Sequence, residues 1–393
     1  MPQTAGSRGL RAAAVATFAA LATVPVPTGP SHAADPIRIG SVVSATGPAS
    51  FLGDPEQKTL KLYVDQLNKK GGVLGRPIEL VLYDDGGDAN KARTFATRLI
   101  EDDKVVAMVG GTTTGTTMAM IPVFEDAKVP FISLAGAIEI VEPVRAYVFK
   151  TPHTDKTACQ KIFEDMKARG LTKIGMISGT DGFGKSMRAQ CLKVVGDYGI
   201  TVAIDESYGP TDADMTPQLN KIKNTAGVQA VLNPGFGQGP AIVTRNYAQL
   251  GIGLPLYQSH GVASKSFVDL AGPAAEGVRL PAPALLIADK LADTDPQKAV
   301  VTEYKKSYET ATGQPVSTFG GYGFDGIQIL VKAIEQAKST DSQKIRDAIE
   351  ATKGYVGATG LYTMSPTDHL GLGTESFRML EIRGGDWVPQ EKK

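Results

Sequence analysis

Ile37-Arg38-Ile39-Gly40-Ser41-Val42-Val43 is a β-branched run, and Thr46-Gly47-Pro48 closes it with a turn. Pro55 is then expected to open a helix to residue 70, with Leu60, Tyr63, Val64 and Leu67 on one face and Gly71-Gly72 as its stop. Strands over 78–83, 105–109 and 129–134 alternate with helices over 89–102 and 116–127. A second series follows Pro152, with helices over 155–169, 185–198, 214–224 and 241–250 and strands over 173–178, 201–206, 228–233 and 254–258. The pattern breaks at Leu280-Pro281-Ala282-Pro283; helices over 296–311, 322–337 and 341–351 and a strand over 377–383 are expected after it. Repeated βα units imply an α/β fold with mostly parallel sheets covered by helices on both faces. Two series predict two doubly wound lobes, residues 35–152 with 283–358 and residues 153–282 with 359–393, and a cleft between them.

Residues 1–34 read as an export signal. Arg8 and Arg11 precede an apolar run over 12–24; Pro25, Pro27 and Pro30 end it, and Ser31-His32-Ala33 offers small residues to a signal peptidase. No Cys follows that run, and Pro2 stands where myristoylation needs Gly. The expected product starts at Ala34 or Asp35, free in the periplasm and without a lipid anchor. Basic and acidic side chains number 41 each with no basic stripe, which argues against nucleic acid or an anionic membrane as partner. Cys159 and Cys191 fall in expected helices flanking the strand at 173–178; in an oxidising compartment they form a disulfide or remain two buried thiols.

Gly179 to Ser186 fits the phosphate-cradling pattern G-x-x-x-x-G-K-[ST], between an expected strand and helix. Asp181 would set a carboxylate against the phosphates, and an exported chain meets little nucleotide. The loop is read instead as a cleft loop presenting Phe183. Gly110-Gly111-Thr112-Thr113-Thr114-Gly115-Thr116-Thr117 carries more, because a strand-to-helix junction offers free N–H groups, a helix dipole and hydroxyls to a carboxylate. One hydroxyl would suffice for capping; five suggest a ligand, with Thr113 and Thr114 as candidates. Small residues over 133–137 let backbone approach a ligand closely, and Phe51, Phe183, Phe236 and Phe324 beside Gly-rich loops suggest an apolar pocket. His260 follows a strand where a cleft residue is expected. No G-x-S-x-G elbow or H-E-x-x-H helix occurs, so no catalytic or metal site is expected.

The strand and turn at 37–48, together with Asn68-Lys69-Lys70-Gly71-Gly72, Gly75-Arg76-Pro77 and Asp84-Asp85, resemble the leucine/isoleucine/valine-binding proteins of ABC importers over nearly the whole exported chain. The resemblance implies two α/β lobes of the type I periplasmic binding fold, joined by three crossovers and closing around a ligand. It also implies a monomer without cofactor that delivers its ligand to an inner-membrane permease. By position, Thr114 is similar to the family's carboxylate-binding serine. Ala135 and Ala137 match ligand-contacting backbone positions, with Ala137 where amino-acid binders have Thr. Phe183 and Phe236 match aromatic positions of the second lobe, Leu52 matches one of the first, and His260 stands where the family has the glutamate that neutralises an ammonium group.

A buried ammonium without a counter-charge is costly. The expected ligand is therefore a carboxylate with an apolar or aromatic body and no ammonium, an aromatic or keto acid, unless Glu139, Asp181 or Asp325 restores an acidic partner. Other readings are a branched-chain amino-acid binder, a ligand-presenting sensor, a nucleotide-dependent protein using Lys185 and Ser186, and a structural protein with no ligand.

Overall fold

The computed structural model describes residues 35–390 together with Gly6 and Gly9, so the export signal expected over 1–34 lies otherwise outside the described residues. The first series folds as β1 (Ile37–Val43), α1 (Ser50–Lys69), β2 (Ile78–Asp84), α2 (Ala89–Glu101), β3 (Ala107–Gly110), α3 (Thr114–Ala127), β4 (Phe131–Ser133) and β5 (Val148–Lys150). Its strands pair in parallel in the order β2-β1-β3-β4-β5. The second series is α4 (Asp155–Ala168), β6 (Lys173–Gly179), α5 (Gly182–Val194), β7 (Thr201–Tyr208), α6 (Thr216–Lys223), β8 (Ala230–Asn233), α7 (Gln238–Gln249), β9 (Leu256–Gln258), α8 (Lys265–Ala271) and β10 (Arg279–Ala282). The order β7-β6-β8-β9-β10 repeats that of the first sheet. After α9 (Lys298–Thr312), α10 (Thr318–Ala337), α11 (Ser342–Glu350) and the hairpin β11 (Tyr355–Val356) and β12 (Leu361–Tyr362), the strands β13 (Arg378–Arg383) and β14 (Asp386–Pro389) extend the second sheet antiparallel beside β10. In open sheets of this order, ligands bind outside the carboxyl ends of the strands where the order reverses.

The chain passes between the sheets three times, after Lys150, after Ala282 and before Arg378. Helix α10 buries Phe319, Tyr322, Ile327 and Leu330 with Val109 and Ile132 in the core of the first sheet. Tyr362, Met364, Leu370 and Leu372 bury in that same core, so the last passage falls after Leu372 and not at residue 359. Cys159 on α4 and Cys191 on α5 are joined by a disulfide, their Cα atoms 5.1 Å apart.

Several sequence expectations need correction. Helix α1 begins at Ser50, which leaves Pro55 inside it with one backbone bond lost and carries Phe51 and Leu52 on the helix. The break expected at Leu280-Pro281 is the strand β10; its register sets Pro281 against Met379, and its ladder to β9 is limited to Arg279 and Tyr257. Helices α3, α5 and α10 start two to four residues before their apolar periodicity, because Thr113, Asp181 and Ser317 cap them.

Candidate functional site

Strand β3 runs through Gly111-Thr112-Thr113 into α3, and the hydroxyls of that run divide their work. Thr113 accepts from the N–H of Thr116 in a capping box. Thr112 Oγ1 accepts from Ser44 N at 2.9 Å and donates to Glu56 Oε2 at 2.5 Å, while Thr117 Oγ1 donates to Gly111 O at 2.8 Å. Thr114 is left: it is buried, and its Oγ1 has no partner among the described residues. It opens α3, where the N–H groups of the first turn lie outside the helical ladder and carry the positive end of the dipole.

The next loop leaves β4 through Ser133, whose Oγ accepts the N–H of Ala135. Lys150 Nζ donates to Gly136 O at 2.8 Å and Ala137 O at 3.1 Å, which ties this loop to the end of β5. From the second sheet, Asp181 caps α5 by accepting from Phe183 N (2.9 Å) and Gly184 N (3.0 Å). The first-turn donors that a nucleotide phosphate would need are thus taken by a carboxylate, and Ser186 Oγ donates to Asp155. Phe183 stands edge-on to Phe236 at 6.1 Å and to His260 at 5.4 Å.

These loops line a common cavity. Leu52, Thr113, Thr114, Phe183, Phe236 and His260 line it. Leu134 and Gly136 line the cavity from that loop; Ala135 and Ala137 are buried on either side of Gly136 and are not among the lining residues. Phe51 packs behind the wall, 6.5 Å from Phe236 and edge-on to Phe319 at 5.9 Å. Phe324 is a correction: it lies against Tyr63 and Tyr304 in the core, because two residues along α10 turn it about 200° from Tyr322. Phe319 and Tyr322 line the cavity from α10 and were missed, although an aromatic pair three residues apart was visible in the sequence.

Lys150, His153 and His260 are each buried close by. Burial, and then the charge of Lys150, pull His260 down to about 3. Burial lowers Lys150 to about 7 against the opposing pull of Asp155, and burial with the two other basic groups holds His153 well below its usual range. No carboxylate is among the lining residues. Asp325 is engaged by Ala358 N, Thr359 N and Tyr362 Oη, Asp181 caps α5, and Glu139 is exposed.

The family description that fits this architecture is "Periplasmic binding protein", whose model matches residues 36–386. The chain belongs to that family. This periplasmic binding protein is 28% identical to the leucine-, isoleucine-, valine-, threonine- and alanine-binding protein of Pseudomonas aeruginosa over 88% of each chain. A solved extracellular ligand-binding receptor from Rhodopseudomonas palustris HaA2 superposes with a TM-score of 0.85 at 27% identity, covering 90% of this chain and 99% of that one. The substrate binding protein LivJ of Streptococcus pneumoniae, solved with isoleucine, shares the fold with a TM-score of 0.79 at 23% identity, covering 90% of this chain and 100% of its own. Within the family, this binding protein is similar to the Leu/Ile/Val-binding type, whose members are solute-binding proteins rather than enzymes.

Proposed function

We propose that this chain is the periplasmic solute-binding component of an ABC importer and closes its two lobes around a small carboxylate that has no ammonium group, an aromatic or keto acid. The observation that carries the reading is one cavity lined by Thr114, whose hydroxyl at a helix N-terminus has no partner among the described residues, and by His260, with no lining carboxylate. Thr114 and the first-turn N–H groups of α3 would hold the ligand carboxylate. Phe183, Phe236, Phe319 and Leu52 would cover its apolar body, and the His260 imidazole would bond a keto oxygen, ring hydroxyl or second carboxylate. The lobes proposed are residues 35–152 with 283–372, and 153–282 with strands β13 and β14, delivering ligand to an inner-membrane permease after export on the signal at 1–34.

The name of the P. aeruginosa relative favours a second reading, a branched-chain amino-acid binder of the same importer class. An ammonium in this cavity would have no lining acid to answer it. A thermal-shift screen decides between them, since a ligand of the folded state raises apparent stability. Benzoate, phenylglyoxylate or 4-methyl-2-oxopentanoate should raise the melting temperature more than leucine does. Tight leucine binding would overturn the first reading, and a melting temperature unmoved by any of these would overturn both.

A further inference from the structure

Three basic side chains are buried around one side of the cavity, two from the end of β5 and the residues after it and one from the loop after β9. Lys150 ends β5 and donates to the carbonyls of Gly136 and Ala137, whose loop forms part of the cavity wall. His153 follows β5; its Nδ1 is 3.4 Å from the hydroxyl of Tyr322, and its ring stacks on Phe377 at 3.9 Å. His260, in the loop after β9, lines the cavity and meets the same Phe377 edge-on at 5.5 Å. His153 Nε2 and His260 Nδ1 have no hydrogen-bond partner among the described residues.

The groups facing this cluster carry little negative charge. Asp155 at the start of α4 is the carboxylate coupled to Lys150, and its oxygens already accept from Ile138 N, Lys156 N and Ser186 Oγ. Tyr322 from α10 stays protonated because burial raises its hydroxyl. Phe183 from α5 and Phe377 before β13 are apolar. One carboxylate therefore stands against three proton-accepting side chains.

We propose that this cluster makes ligand capture proton-linked: an anion seated at Thr114 supplies the missing negative charge, and the cluster takes up a proton as the anion binds. The inference rests on the carboxylate reading above. The proton comes from the medium, ends on an imidazole nitrogen or the Lys150 amine, and leaves when the ligand does. Burial keeps all three sites low before binding, and the charge of Lys150 lowers the two histidines further. An incoming anion opposes both effects and raises them. The linkage is reciprocal, so binding weakens as pH rises above about 7. Lys150 and His153 act as positioning residues that set the field around His260.

Isothermal calorimetry of the full chain with phenylglyoxylate tests this, run at pH 7.5 in HEPES and in Tris, whose ionisation heats differ. The two heats should differ in the sense of proton uptake, and affinity should fall about tenfold between pH 6.5 and 8.5. Lys150→Gln keeps a donor for the two carbonyls without a charge and should flatten the profile; His153→Gln is a second variant with the same expectation. Binding with equal heats and a flat pH profile in the unsubstituted protein would overturn the proton linkage and leave the carboxylate reading standing. Binding of leucine with none of phenylglyoxylate or benzoate, or no binding of any of the three, would overturn both.

Discussion

Gly136 and His260 face each other so closely that a Cβ built on Gly136 would stand 3.1 Å from His260 Nε2 and 2.8 Å from Phe183 Cε2. Gly136 leaves the first sheet, whereas Phe183 and His260 leave the second. The absent side chain is what lets the two sides meet at the cavity. Gly136→Ala adds one methyl group where neither ring can retreat into a packed core without a cost of about 1–3 kcal/mol. Phenylglyoxylate affinity should fall about tenfold or more by calorimetry. Unchanged affinity would show that the lobes do not need this approach to hold ligand.

Thr113 and Thr114 are neighbours with opposite duties. The Thr113 hydroxyl is committed to the capping box, and the Thr114 hydroxyl has no partner among the described residues. Thr113→Ala should therefore destabilise the fold by about 1 kcal/mol, the usual value of an N-cap. Thr114→Val should leave stability nearly unchanged and weaken carboxylate binding by about 1.5–3 kcal/mol, the range for a hydrogen bond to a charged group. Denaturant melts and calorimetry on both variants check the exchange of roles.

Lys150 gives stability a pH dependence. Its folded value is about 7, lowered chiefly by burial, against an ordinary 10.5 in the unfolded chain. Between those values the unfolded chain binds more protons, so stability rises with pH from about 7 towards 10. Below about 7 the folded protein carries the full cost of burying the cation. The ligand-free melting temperature should climb between pH 7 and 9.5, and Lys150→Met should remove that slope. A falling curve in the unsubstituted protein would contradict the assignment.

The disulfide between Cys159 and Cys191 closes a loop with a sequence separation of 32, from the first half of α4 to the last turn of α5. Replacing both cysteines with Ala should lower stability by roughly 2–4 kcal/mol through the freed unfolded chain. Ligand affinity should hold, since neither sulfur lines the cavity. Denaturant unfolding with paired calorimetry measures the two effects separately.

Much of the fold was legible because its signals are local. β-branched runs, Gly and Pro punctuation and a 3.6-residue apolar period carry strands and helices one segment at a time. The errors fall where local preference and tertiary context disagree. Pro281 reads as a breaker, yet β10 forms because β13 pairs with it along four residues. Strand β5 has three residues, too few for a period, and it is the segment that delivers Lys150. Helices begin at a polar cap and not at the first apolar residue, which hid the helical placement of Thr114 and Phe319.

By itself the sequence determined the α/β class, the repeated βα order and the strand-end loops from which a binding site is built. These follow from backbone sterics and apolar periodicity, and both act within a dozen residues. Only the tertiary structure decided which loop residues share a cavity. Thr114 and His260 are 146 positions apart by their numbers, and sheet order and three crossings of the chain bring both to one cavity wall. There too the hydrogen bond that Thr114 lacks among the described residues set it apart from the rest of its run. Only there did Lys150 and His153 join His260, because electrostatic coupling depends on distance and burial, and neither is written in the spacing of residues along a chain.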